Sequence, residues 1–289
     1  MTNSLKCAVG AIAIAGLLTA CTASGQGGSS VSAVIPRAAG PNVVVSKIYV
    51  TSFKSAKVRV FLVNGNPTTP KIKTQLHPAG VAVASNGNIY VANFGANTVT
   101  TYDATGKHIS PTITGLGGPF ALAFDPSGLL DVLNRTSATI TKYQADGTLV
   151  GTINLPTSTI SDGFAVAPDG SFWVSSSSAG NMLHLDASGN LIESYVVGGT
   201  PAGVGLPSDG SVLFADTSGN DVARLDPSTG NVTTFVSGLT KPVGLAIDGN
   251  GNVYVSNSGN NTVTTYDSTG NATTPTLLTS ADPLGIAVQ

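Results

Sequence analysis

Few residues in this chain of 289 have the types and spacing that chemistry demands. The histidines, His77, His108 and His184, are too few and too scattered to form a metal or catalytic cluster. Glu193 is the single glutamate, so paired-glutamate acid/base work is excluded. No G-x-S-x-G elbow is present to raise a serine nucleophile. Asp248-Gly249-Asn250-Gly251-Asn252 opens like a calcium loop, but Val253 stands where glycine is required and Gly259 where a bidentate glutamate is required. Gly115-Leu116-Gly117-Gly118 precedes a strand pattern, so it offers no helix N-terminus to a phosphate. No catalytic residue, metal ligand or cofactor is therefore expected.

The cysteines point to an address. Lys6 is followed by the apolar run Cys7 to Ala20. Fourteen residues at about 1.5 Å each reach only about 21 Å, short of a roughly 30 Å hydrocarbon core, as in a secretory signal. The run ends in Leu18-Thr19-Ala20-Cys21, which resembles the bacterial lipoprotein signal. That resemblance implies cleavage before Cys21 and lipidation of its thiol. Once Cys7 has left with the signal, Cys21 has no partner for an intramolecular disulfide. Thr22 after the cysteine implies, by the same family rule, outer-membrane sorting in a Gram-negative host. The expected organisation is a signal peptide over 1–20, a Ser/Gly/Ala/Pro tether over 21–43 and a folded domain over 44–289, anchored by lipid in a bacterial cell envelope.

The elements that must position any site are repeats. Pro242 to Gly270 contains three apolar runs, GLAI, VYVSN and TVTTY, separated by turn residues, and the chain repeats versions of it throughout. Aligned on the P-x-G element, Gly80, Ala121, Gly163, Gly203, Gly244 and Gly285 recur at intervals of 41, 42, 40, 41 and 41. A period near 40 residues with several short strands per unit is the signature of propeller blades. A fourth strand is expected in segments such as Thr148 to Leu155 and Val232 to Val236. The last unit stops at Gln289 after one strand, while Ile48 to Phe61 matches second and third strands with none before them. The fold class is thus all-β, a six-bladed β-propeller of four-stranded antiparallel blades, its ring closed by pairing of the N- and C-terminal strands.

The repeated motif, P-x-G followed by G-[NS]-x-Y-V-[AS]-N and Y-D, resembles NHL-type and YVTN-type propeller repeats over Ile48 to Gln289. It is more distantly similar to the gluconolactonase/regucalcin and virginiamycin B lyase propellers. What these resemblances imply is a site on the channel face, where loops before the first strand and between the second and third strands gather. Gluconolactonase-like enzymes hold a divalent metal there, and Asp162 matches the position of their aspartate. Glu193 falls after a third strand, however, and the other inner positions are mostly apolar. The histidines are expected to face solvent.

Phe94, Phe120, Arg135 and Asp162 should lie in neighbouring loops on that face, with Phe53 joining them and Asp216 at a strand end. Aromatic area beside opposite charges makes them the candidate ligand-binding residues. Two functions follow: a non-catalytic binding or scaffold propeller with a protein or small-molecule partner at the channel face, or a metal-dependent lactonase-like hydrolase or lyase at the channel mouth. A monomer is expected. With 13 basic and 15 acidic residues there is no general attraction to phosphate backbones, and nucleic acid is excluded as a partner. The charges are polarised all the same. No acid precedes Asp103, so residues 1–102 carry eight cations, whereas the remainder carries five cations against all fifteen acids. That asymmetry is either a solvated face of one repeat or a basic side turned to anionic lipid.

Overall fold

The computed structural model describes residues 47–156, 160–279 and 281–289. The signal peptide, the tether and Cys21 lie outside the described residues. The folded part is six four-stranded antiparallel sheets in a ring. Blade 1 combines Lys47–Ser52, Lys57–Leu62 and Pro67–Lys73 with the last strand, Pro283–Val288, which takes its innermost place. Blades 2, 3, 4, 5 and 6 follow in order over 78–113, 119–154, 164–196, 201–236 and 242–278.

Closure occurs as the repeat alignment requires. Ile48 pairs with Val288, Tyr49 with Ala287 and Val50 with Ile286. The fourth strands are present as well, Leu149–Asn154 and Val232–Val236 among them. Period-two alternation then buries both faces of a blade. In blade 1, Tyr49, Val58, Val60 and Ile72 pack on Val81, Ile89, Val91 and Tyr102 of blade 2. The opposite face, Ile48, Val50 and Phe61, packs on Tyr254, Val263 and Leu277 of blade 6. The core is thus a set of inter-blade layers, and no blade buries its apolar surface without neighbours.

P-x-G encodes a bulge at the ring's inner edge. Register slips between Pro78 and Val81, Pro201 and Val204, and Pro242 and Leu245. The glycine then lets adjacent inner strands touch. A Cβ on Gly203 would lie 2.5 Å from the Val243 carbonyl oxygen, and one on Gly163 2.5 Å from that of Ala202. Hydroxyls from the second strands stitch the bulged backbone. Thr51 donates to the Ala79 carbonyl at 2.8 Å and accepts from the Gly285 amide at 2.8 Å, while Ser256 donates to the Leu284 carbonyl at 2.6 Å and accepts from the Gly244 amide at 2.7 Å. These hydroxyls, unremarked in the repeat pattern, join one blade to the next.

Candidate functional site

The inner strands leave a narrow channel. Its cavity is about 80 Å³, lined by Ala79, Phe120, Asp162, Val243 and Leu284 with the P-x-G glycines between them. That space holds a few waters but not a drug-sized ligand. A ligand of that size would have to sit on the rim instead.

The rim is unequal around the ring. The first residue after each second strand is Phe53, Phe94 or Arg135 in blades 1, 2 and 3, and Ser177, Thr217 or Ser258 in blades 4, 5 and 6. The three hydroxyls are turned into structure, donating to the carbonyls of Ile160, Pro242 and Lys241 at 2.9, 2.7 and 3.0 Å. The three large side chains instead meet one another. Phe53 and Phe94 have ring centroids 6.3 Å apart, and Phe94 meets Phe120 edge to face at 5.9 Å. The Arg135 guanidinium lies 5.2 Å from the Phe120 ring centroid, and its Nε forms an ion pair with Asp162. All five are half-buried. A continuous band thus crosses four blades, beginning aromatic and ending in a neutralised donor and acceptor pair.

His77, expected to face solvent, extends this band. It adopts a left-handed φ of 53° before Pro78 and stacks on Phe53 at 4.6 Å. The expectation fails because the loop before blade 2 folds back over the rim of blade 1. His184 is also half-buried, stacked on Trp173 at 4.2 Å, and burial holds its pKa below the usual histidine value. Its Nε2 lies 3.3 Å from the Ser171 hydroxyl, which already donates to Asp169 at 2.7 Å. That proton is directed away from the imidazole, so the pair lacks the geometry of a base-activated nucleophile. His108 is exposed, beside Thr112 at 3.0 Å.

Asp216 stands apart from the band. Its carboxylate accepts from the Thr200 amide at 2.9 Å and from the Ser218 amide and hydroxyl at 3.0 and 2.8 Å, within blade 5. These bonds hold its pKa down against the opposing effect of burial. The amide groups of strand-end asparagines are likewise occupied: Asn93 donates to the Val91 carbonyl at 3.2 Å and Thr100 at 3.0 Å, and Asn257 repeats the pattern with Val255 at 3.3 Å and Thr264 at 3.0 Å.

The divalent metal of gluconolactonase-like enzymes does not fit these residues. Asp162 is committed to Arg135, and Glu193, on an outer strand, accepts from the Tyr195 hydroxyl at 2.8 Å. Ala79, Phe120, Val243 and Leu284 fill the equivalent channel positions. Among the described residues no three His, Cys, Asp or Glu side chains are close enough to share an ion.

A ring of six four-stranded blades with an asymmetric rim at one mouth defines the class, a six-bladed β-propeller with a channel-face surface. The chain belongs to the virginiamycin B lyase family, whose model matches residues 33–289. It is similar to a catalytically inactive histidine-to-alanine variant of virginiamycin B lyase from Staphylococcus aureus with quinupristin: 16% identical, TM-score 0.64, covering 86% of this chain and 93% of that one. A protein of unknown function from Bacteroides caccae is similar at 15% identity and TM-score 0.71, over 84% and 98% of the two chains. A chain of a nidogen/laminin complex is similar at 17% identity and TM-score 0.68, over 84% and 97%. At such identities these structures share the fold. No curated relative matches the chain. Of the resemblances carried by the repeat motif, the virginiamycin B lyase one is the family.

Proposed function

We propose that this protein is a lipid-anchored envelope propeller that binds a ligand at the channel-face rim without transforming it. The observation that carries the proposal is the unbroken band Phe53, Phe94, Phe120, Arg135 and Asp162. Its chemistry selects the ligand class. Three aromatic rings offer area for an aryl group, and a guanidinium paired with a carboxylate offers one donor and one acceptor with near-zero net charge. A neutral group that both accepts and donates, such as an amide, complements that pair better than a bare ion does. The ligand is thus a peptide or amide carrying an aromatic ring. The anchor rests on the Leu18-Thr19-Ala20-Cys21 sequence. Labelled palmitate should enter the protein and should be lost in Cys21→Ser; no incorporation into the unsubstituted chain would overturn the anchor.

A hydrolase or lyase at the channel mouth is the alternative, and family membership is what favours it. Incubating the protein with quinupristin and divalent metal, then weighing the compound by mass spectrometry, separates the two. Unaltered quinupristin is expected. Its conversion, abolished by Asp162→Ala, would establish the enzyme instead.

A further inference from the structure

Blade 1 carries a second surface, far from the rim band in chemistry. Residues 47–73 contain Lys47, Lys54, Lys57, Arg59, Lys71 and Lys73 and no acid. Lys54 is paired with Asp282 at 3.3 Å, but Lys57, Arg59, Lys71 and Lys73 have no ion-pair partner among the described residues. These four line a cleft of about 530 Å³ on the two outer strands of the blade, together with Pro67 and Thr68. Lys57 and Lys73 stand directly opposite across the strand pair, an arrangement of like charges that costs stability. Arg59 is held over the Phe61 ring at 5.5 Å. Concentrated, uncompensated cations kept at a cost in stability indicate an anionic partner.

We propose that this face of blade 1 docks on the anionic phospholipid headgroups of the membrane to which the chain is tethered. Two observations choose the membrane. Blade 1 contains the first described residue, 26 positions after Cys21, a length that spans at most about 90 Å when fully extended. Charge then sets the orientation. Blade 4, three places around the ring, holds Asp169, Asp186 and Glu193 with no lysine or arginine, so an anionic surface attracts one side of the propeller and repels the other. Docking through blade 1 stands the ring on its edge and leaves the channel-face rim open beside the bilayer. The inference rests on the anchor only for its choice of membrane.

Hydrogen exchange of the full chain, mixed with phosphatidylcholine vesicles, with vesicles containing about one third phosphatidylglycerol, or with inorganic phosphate, tests it. The edge amides of Pro67–Lys73 should exchange at least fivefold more slowly on the anionic vesicles only, on the order of the effect of one cation at a membrane surface. Lys57→Gln with Lys73→Gln should remove that protection, as should roughly 1 M salt, which shortens the screening length to about 3 Å. Arg224→Gln with Lys241→Gln, on blades 5 and 6, should leave it intact. Equal exchange on both vesicle types overturns the docking face, as does equal protection by free phosphate or equal loss in the Arg224/Lys241 variant. A chain that fails to sediment with phosphatidylcholine vesicles yet is protected on anionic ones overturns the anchor and keeps the face.

Discussion

Phe53, Phe94 and Arg135 occupy one position of the repeat, as do Ser177, Thr217 and Ser258, and what separates the two sets is whether the side chain has an internal partner. Three hydroxyls short enough to reach a neighbouring carbonyl become part of the scaffold; two phenyl rings and a guanidinium cannot, and they assemble on the surface. The repeat alignment made Phe94, Phe120, Arg135 and Asp162 legible because each departs from the consensus at a channel-face position. His77 was not legible, since its place depends on a left-handed loop residue and a stacking partner in the preceding blade. Asp216 shares a strand-end position with asparagines that bond locally, and it bonds locally too. The glycines carry a sharper expectation. Gly203→Ala places a Cβ about 2.5 Å from the Val243 carbonyl, between two inner strands that cannot separate independently of the ring. A loss of roughly 1 to 3 kcal/mol is expected, visible as a lower thermal midpoint; an unchanged midpoint would mean that the inner ring is looser than its geometry.

A buried charged cluster in blade 3 touches blade 4. Lys142 reaches Asp125 at 3.0 Å and Asp131 at 2.9 Å and stands 5.0 Å from the centroid of Phe172 in the next blade. Asp131 is fully buried, and that burial raises its pKa from 3.8 to about 6 despite Lys142, whereas bonds from Ser127, Leu129 and Lys142 keep Asp125 low against its own burial. The sign follows from the raised value. The folded state holds a proton on Asp131 that the unfolded chain has released, so this group favours folding most at low pH and its contribution is lost as pH rises from about 3.8 through about 6. In urea titrations the unsubstituted chain should lose stability relative to Asp131→Asn across that interval, by on the order of 1 to 3 kcal/mol; parallel pH profiles would contradict it. Hairpin aspartates act oppositely. Asp267, its pKa lowered to about 2 chiefly by the Thr269 hydroxyl, supports its turn above the ordinary carboxylate range and ceases to as pH falls through the lowered value. The turn residues between the apolar runs were readable in sequence as turns. The Lys142 triad was not, because its members lie in separate strands.

For the whole molecule, the 41-residue period and the missing strands at either end were enough to expect six blades and a shared one, since a repeat that stops after its first strand must be completed by residues elsewhere. Removing Pro283–Gln289 should therefore open the ring. It exposes the edges of Lys47–Ser52 and of the neighbouring inner strands and removes the buried Ile286, whose side chain contributes about 1.5 to 3 kcal/mol. Aggregation or a large fall in thermal midpoint is expected, and a monomer that melts unchanged would refute closure as the basis of stability. What the period could not reveal is the closeness of the inner strands, which reduces the channel to about 80 Å³.

The central claim is that this rim binds an aryl amide through both its rings and its charge pair. N-acetylphenylalaninamide titrated into the protein and followed by the ring resonances of Phe53, Phe94 and Phe120 tests it most directly. Saturable shifts are expected on all three rings, with affinity at least tenfold weaker, a loss of about 1.4 kcal/mol or more, in both Phe120→Ala and Arg135→Ala. Shifts that never saturate, or an affinity unchanged by either substitution, would contradict it.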